Sequence, residues 1–311
     1  MSQLYIQQTK GMSPLLNLLK QEGWQAVDMH YHSKYSVDGL ATVKQVLSRC
    51  KKNGVGTSFT DHNHIKGSIE AWKKGVFVVP GIELTCHNGV HVLLHFSRIK
   101  EYKLFYEKEM KKRVAKNPWF LDADYKKMIN VASKYDCLIT APHPFGPGVC
   151  GIKKQRVDAS TLKKIHAIEV LNGTGQGSMN TKAAAWARKI KKGFTGGPDG
   201  HCINEHGTVL TLCKASTVEG FLEEIRKKKS IVIGKEERLL ADAIYQAEKF
   251  VREERKAPNL GQMWKDRGLH EWDILQKKGH DFFHHFHVHH KEVSKKKLEK
   301  HKHTTHLSKR T

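Results

Sequence analysis

No run of about 18 apolar residues occurs anywhere in this 311-residue chain, so no membrane-spanning helix is expected. The opening residues, MSQLYIQQTK, lack the apolar segment of a secretory signal, and the expected location is cytoplasmic. The six cysteines (Cys50, Cys86, Cys137, Cys150, Cys202 and Cys213) form no C-x-x-C pair and read as ordinary small thiols inside apolar segments. There is no G-x-S-x-G elbow and no Walker-type phosphate loop, so nucleophilic-serine and P-loop chemistry are not indicated. No internal repeat is present.

Acidic residues are also scarce relative to basic ones: 31 Asp and Glu stand against 54 Lys and Arg, a net charge of +23. The surplus is spread along the chain. Residues 1–250 carry 39 basic and 23 acidic side chains, and residues 251–311 carry 15 and 8. Such a chain attracts polyanions on electrostatic grounds alone, without sequence specificity.

What is present is an alternation of short apolar runs and helical segments. Strands are expected at 26–32, 55–60, 76–80, 90–96, 137–141, 167–171, 194–197, 209–213 and 231–234. Helices are expected at 42–52, 67–74, 123–134, 178–192 and 217–229. Strands alternating with helices of this length imply β-α units on a parallel sheet. Residues 1–23 hold a helix candidate at 13–20, started by Ser13 and Pro14. A charged helical insert, 98–121, reads as a lid or decoration over the site. Residues 236–279 read as a helical charged segment, and 280–311 as a His/Lys-rich tail whose composition favours disorder and contact with RNA or DNA.

The ends of the apolar runs carry a series of metal-ligand side chains. The first is Asp28-x-His30-x-His32-Ser33, followed by Asp38-Gly39. Next come Thr60-Asp61-His62-Asn63 and Gly81-Ile82-Glu83, then His91, with His95 on the same strand face as the alternative ligand or a residue behind it. The series ends with Pro142-His143-Pro144 and Asp199-Gly200-His201. Residues at i and i+2 of a strand share a face, which would point Asp28, His30 and His32 the same way. Imidazoles and carboxylates converging on one rim suit Mn2+, Zn2+ or Fe2+, with two or three ions expected. Asp28 and Asp61 suit orientation of a neighbouring imidazole. Lys66, Arg98 and Lys153 are candidates for gripping a substrate phosphate. The Asn172–Gly177 stretch is a strand-to-helix turn that can also be read as a phosphate cradle.

Taken together these motifs resemble the PHP family, named for its polymerase and histidinol-phosphatase members, over about residues 24–235. The resemblance implies a distorted (β/α)7 barrel, here with a C-terminal basic, His-rich extension, and a trinuclear site that hydrolyses phosphoesters. It further implies that His30, His32, Glu83 and Asp199 hold one ion, that Glu83, His91 and His143 hold a second, and that Asp38, His62 and His201 hold a third. Glu83, Asp199 and His201 are the catalytic candidates. Metal-activated water would then cleave a phosphomonoester, or a P–O bond of a nucleotide or oligonucleotide. The alternative is a non-catalytic, nucleic-acid-associated module built on the same scaffold.

Overall fold

Short apolar runs buried on both faces become strands here, as expected when helices or a second layer cover a sheet. The computed structural model describes residues 3–7, 16, 19–114, 118–175, 177–234, 265–274 and 276. The helix candidate at 13–20 lies partly outside them, and of it residues 16, 19 and 20 are helical. The 280–311 tail and all of 236–264 also lie outside.

The described strands form two five-stranded sheets. The first has the order β1 (Gln3–Gln7), β10 (Ile231–Gly234), β9 (Val209–Lys214), β2 (Trp24–Tyr31) and β3 (Gly56–Phe59). The second runs β4 (Gly81–Thr85), β5 (His91–Phe96), β6 (Cys137–Ala141), β7 (Ala167–Asn172) and β8 (Gly193–Gly197). Parallel bridges His62↔Glu83 and Thr57↔Val78 link the β3 side of one sheet to the β4 side of the other, and Tyr31↔Gly200 links β2 to the segment after β8. The fold is therefore mixed α/β on two joined sheets.

The expectation of a parallel sheet is corrected at two strands. β5 runs antiparallel to β4 and β6, and β9 runs antiparallel to β2 and β10. The reason is loop length. Only residues 86–90 connect β4 to β5, in a turn closed by hydrogen bonds from Cys86 N to Val90 O and from Gly89 N to Cys86 O. That is far too short for a crossover connection. The run at 76–80 contributes a single bridge, and the named strand begins after Pro80, at Gly81.

Helices start where polar side chains can cap them. Thr42 and Gln45 form a reciprocal capping box on α1 (Val43–Asn53), which ends at Gly54 with φ 66°. α2 (Lys66–Ala71) follows β3, and α3 (Ile99–Phe105) with a π-helical turn (Tyr106–Met110) opens the insert. Asp124 caps α4 (Tyr125–Ala132), Asp158 caps α5 (Ala159–Lys164) and Thr217 caps α7 (Val218–Arg226). α6 spans Gly177–Lys189. The buried faces of α4 and α6 (Met128, Ile129, Ala183, Trp186) pack on Ile82, Leu94, Ile139 and Ile168. Phe221, Leu222 and Ile225 of α7 pack on Val27, Met29 and Leu138.

The chain divides into two units, residues 1–265 and 266–311. In the second, the described residues are helical, and Arg267 Nε donates to Glu271 Oε1 at 2.8 Å.

One close approach joins the sheets at the functional edge. A Cβ on Gly197 would strike the backbone and Cβ of His30, so β8 reaches β2 only because this residue has no side chain. Gly197→Ala is expected to cost about 1–3 kcal/mol, the range for overpacking a close-packed site. Urea denaturation with an unchanged m-value checks it.

Candidate metal centre

The two halves of the molecule meet as backbone before they meet as side chains. Asp199 N donates to His30 O at 2.9 Å and His32 N donates to Gly200 O at 2.8 Å, laying the 199–201 segment along the end of β2. Leu40 N donates to His201 O at 2.8 Å, which brings the turn carrying Asp38 to the same place. His62 and Glu83 face each other across their bridge. His143 follows β6. His91 opens β5 rather than closing it, and because β5 is reversed it still reaches this edge.

Glu83 is the centre of the assembly. Its Oε2 lies 3.4 Å from His30 Nε2, 3.3 Å from His32 Nε2 and 3.2 Å from His62 Nδ1. Its Oε1 lies 3.0 Å from His91 Nδ1 and 3.2 Å from His143 Nε2. Asp199 Oδ1 stands 3.3 Å from His30 Nε2 and 3.2 Å from His32 Nε2. Asp38 Oδ2 stands 3.3 Å from His62 Nε2 and 2.9 Å from His201 Nε2. Three groups have the spacing to hold a metal ion: His30, His32, Glu83 and Asp199; His32, Asp38, His62 and His201; and His62, Glu83 and His91. His32 and His62 each face two groups.

All nine candidate ligands are thus gathered in one cluster. Of the two strand-β5 histidines, His91 joins Glu83, whereas His95 donates from Nε2 to Met29 O at 2.9 Å. Burial pushes the His95 imidazole down to about 4, with the Met29 carbonyl opposing.

The chemistry of the donors fits divalent cations. Donor atoms each about 2.0–2.1 Å from an ion in tetrahedral or octahedral array stand about 2.8–3.4 Å apart, and the separations above fall there. His30 Nε2 and His32 Nε2 face each other at 3.3 Å, and Glu83 Oε2 is buried without a hydrogen bond. Such an arrangement is costly unless a cation takes the lone pairs.

Backbone strain marks the same residues. His143 and Asp199 have φ of 26° and 54°, and Asn63, beside His62, has 51°. Non-glycine residues adopt this region at a cost and concentrate at functional sites.

The electrostatics are those of mutual neutralisation. Burial opposes charge on His30, yet Asp199, Glu169 and Glu83 together hold its imidazole well above the ordinary range. His32 is raised to about 10, burial again being outweighed, here by Asp38, Asp199 and Glu83. Burial acts to raise Asp38, Glu83 and Asp199, but the surrounding imidazoles hold all three well below the usual carboxylate range. His62 is the exception: burial dominates and takes it down to about 4.

A second layer fixes the ligands. Glu169, in β7, accepts from His30 Nδ1 through Oε1 at 2.8 Å, and its Oε2 accepts from His143 N and from Asn172 Nδ2. Asn172 also donates to Asp199 Oδ2 at 3.1 Å. Ser36 Oγ donates to Asp38 Oδ1 at 2.6 Å and sits 3.2 Å from His32 Nδ1. Glu205 accepts from the backbone of His201 and Cys202. Sequence reasoning assigned this orienting role to Asp28 and Asp61, and the structure places them elsewhere. The register of β2 shifts between Asp28 and Tyr31, so Asp28 does not share the His30 face. It accepts from Gly207 N and His30 N instead. Asp61 accepts from Ser33 N and Oγ.

Of the phosphate-gripping candidates, Lys66 and Lys153 lie beside the Tyr35 and Trp186 rings. Arg98 pairs with Asp136, which precedes β6, at the opposite end of the strands. The insert is a packed wall: Trp119 is fully buried against His62, and Asn63 Nδ2 donates to Pro118 O and Trp119 O. Asn172 holds the Asn172–Gly177 turn by accepting from Thr174 N and Oγ1.

Residues 28–181 match the PHP domain model, and residues 177–230 match the PHP-associated model. No curated protein matches the chain by sequence. A two-domain protein from Bacteroides vulgatus, containing a predicted PHP-like metal-dependent phosphoesterase, superposes with TM-score 0.52 at 17% identity, over 68% of this chain and 65% of that one. Endonuclease Q, in complex with a 27-mer duplex bearing an abasic lesion at the active site, gives TM-score 0.54 at 19% identity, over 66% of this chain and 57% of the other. The lesion-specific endonuclease of Pyrococcus furiosus gives 0.54 at 19%, over 67% and 57%. The chain therefore spans less than two thirds of these relatives' length. At such identities the likeness is one of fold. No described helix is long and apolar enough to cross a membrane.

Two predictions follow from the donor geometry. Because the His32 imidazole is held at about 10 in the metal-free protein, divalent ions must displace protons at neutral pH. Calorimetric titration with Mn2+ in two buffers of different ionisation enthalpy is expected to show proton release, and affinity is expected to rise with pH between about 6.5 and 10. Glu169→Gln is expected to lower metal affinity about 10–100-fold with an unchanged fold, read by competition with a chelating dye.

Proposed function

The chain belongs to the PHP family, and on that premise we propose that it is a metal-dependent phosphoesterase with a site for three divalent ions. We further infer that the two sheets close as the distorted (β/α)7 barrel of that family. The observation that carries the functional reading is the Glu83 carboxylate, whose Oε2 faces His30, His32 and His62 while Oε1 faces His91 and His143. One carboxylate serving two donor sets is what a bridged cluster requires.

In this reading His30, His32, Glu83 and Asp199 hold one ion, Glu83, His91 and His143 a second, and Asp38, His62 and His201 a third. When bound, such ions lower the pKa of water and neutralise phosphate oxygens, the two demands of phosphoester hydrolysis. The protein's own contribution is positional. Glu169 accepts the Nδ1 proton of His30, which leaves Nε2 as the free lone pair. Thr85 Oγ1, 2.8 Å from His62 Nδ1, fixes that ring. Asn172 steadies Asp199 through its outer oxygen. Trp119 excludes water behind His62. Asp199 and His201 both lie on the short segment after β8, and in this reading they would take or give a proton at the reacting group.

The phosphoesterase likeness of one structural relative and the nuclease activity named for endonuclease Q, met in two structures, support a substrate with a phosphate ester, either a phosphomonoester or a nucleotide or short oligonucleotide. The rival, a non-catalytic nucleic-acid module, accords less well with a complete and strained ligand set. Hydrolysis of p-nitrophenyl phosphate, 3′,5′-bisphosphate nucleotides and short oligonucleotides, with Mn2+, Zn2+ or EDTA, tests the reading. Turnover is expected with metal, abolished by EDTA, and reduced at least about 100-fold in Asp199→Ala. A folded, metal-loaded protein without turnover on any of them would overturn it.

A further inference from the structure

Two basic runs distant in sequence, 188–192 and 226–229, are brought together at the end of the strands away from Glu83. The first joins α6 to β8, and the second ends α7. Their proximity is built into the backbone. A Cβ on Gly193 would strike the carbonyl of Ile225, and Ser230 Oγ donates to Phe194 O at 2.7 Å. Lys192 Nζ reaches the carbonyl of Lys163, in α5, at 3.4 Å, which brings the end of that helix to the same edge. Lys191 and Lys228 each sit in left-handed backbone, with φ of 55° and 61°.

Helix C-termini favour a cation or two each, and that accounts for part of the cluster. It does not account for the crowding. The positive charge of Lys228 adds to burial in lowering the Lys192 ammonium. Burial, Arg226 and Lys192 take His166 down to about 4. Three carboxylates at this edge pair with part of the second run: Asp136 with Arg98 and Arg226, Glu223 with Arg226 and Lys227, and Glu224 with Lys229. Among the described residues, no carboxylate pairs with Lys163, Lys191, Lys192 or Lys228. Those four lysines, held beside further cations by a rigid scaffold, raise the local potential and draw in a polyanion.

We propose that this edge, centred on Lys191, Lys192 and Lys228, is a docking surface for the phosphate backbone of nucleic acid. Lys192 immediately precedes the five-residue strand β8 and Asp199 follows it by two residues, so the length of that strand, about 16 Å, separates the surface from the metal centre. The surface would hold a segment other than one engaged at the metal centre, and it does not depend on the centre being hydrolytic. A membrane surface is the poorer fit. Interfacial anchors pair cations with exposed apolar side chains, whereas the one large exposed apolar side chain described in residues 1–265 is Leu104, on α3.

The test is fluorescence anisotropy of a labelled 20-base-pair DNA duplex against the full chain, in EDTA, from 50 to 300 mM KCl. K191E/K192E/K228E is compared with K44E/K51E/K52E on α1, which changes net charge equally. The proposal expects the first variant to bind at least tenfold more weakly, with a salt slope smaller by about 0.9 per lost phosphate contact, and the control to change less than threefold. Thermal melting confirms that each variant is folded. Equal losses in both variants, no loss in the first, or no binding by the wild type would overturn it. So would binding confined to phosphatidylserine vesicles.

Discussion

A carboxylate buried with both oxygens turned towards imidazoles governs the design of this chain. Glu83 is sealed from solvent, and five ring nitrogens stand within 3.4 Å of it. Unpaired burial of that charge would be prohibitive, so the surrounding elements are arranged to supply positive charge. Without an ion, His30 and His32 supply it: the carboxylates favour their protonated forms, and they in turn hold Glu83 and Asp199 low. Divalent ions would satisfy the same carboxylates and free the imidazoles to act as neutral ligands. The site is organised for cations whichever state it is in.

The fold serves that requirement through strand ends. β4 and β6 approach the edge from one direction and β5 from the other, so a ligand may end a segment, as His143 does, or begin one, as His91 does. Close backbone approach at Gly197 and hydrogen bonds between 199–200 and β2 fix the spacing of His30 from Asp199. Glu169 then ties His30 to the backbone of His143, so one buried side chain orients two parts of the cluster.

Much of this was legible in the sequence because metal chemistry tolerates few residue types. The ligand motifs stand out as histidines and carboxylates closing apolar runs, and all nine candidates converge. Features set by backbone geometry were harder to see. The i, i+2 spacing of Asp28 and His30 hid a register shift that separates them. The reversal of β5 had a signal in the short link at 86–90, with Gly89 at φ 78°. Glu169 left only a faint trace, a single carboxylate inside the apolar run Ile168–Leu171, every residue of which is buried. β1 was missed because QLYIQ is too short and too polar to announce a strand.

The proposed chemistry requires that divalent ions bind at the Glu83 cluster. Anomalous diffraction from crystals soaked in Mn2+ addresses that directly. Peaks are predicted between the Glu83 carboxylate and the imidazoles of His30 and His32, and between Glu83 and those of His91 and His143. Well-ordered crystals with no peak within about 3 Å of either Glu83 oxygen, beyond the reach of any coordination bond, would contradict it.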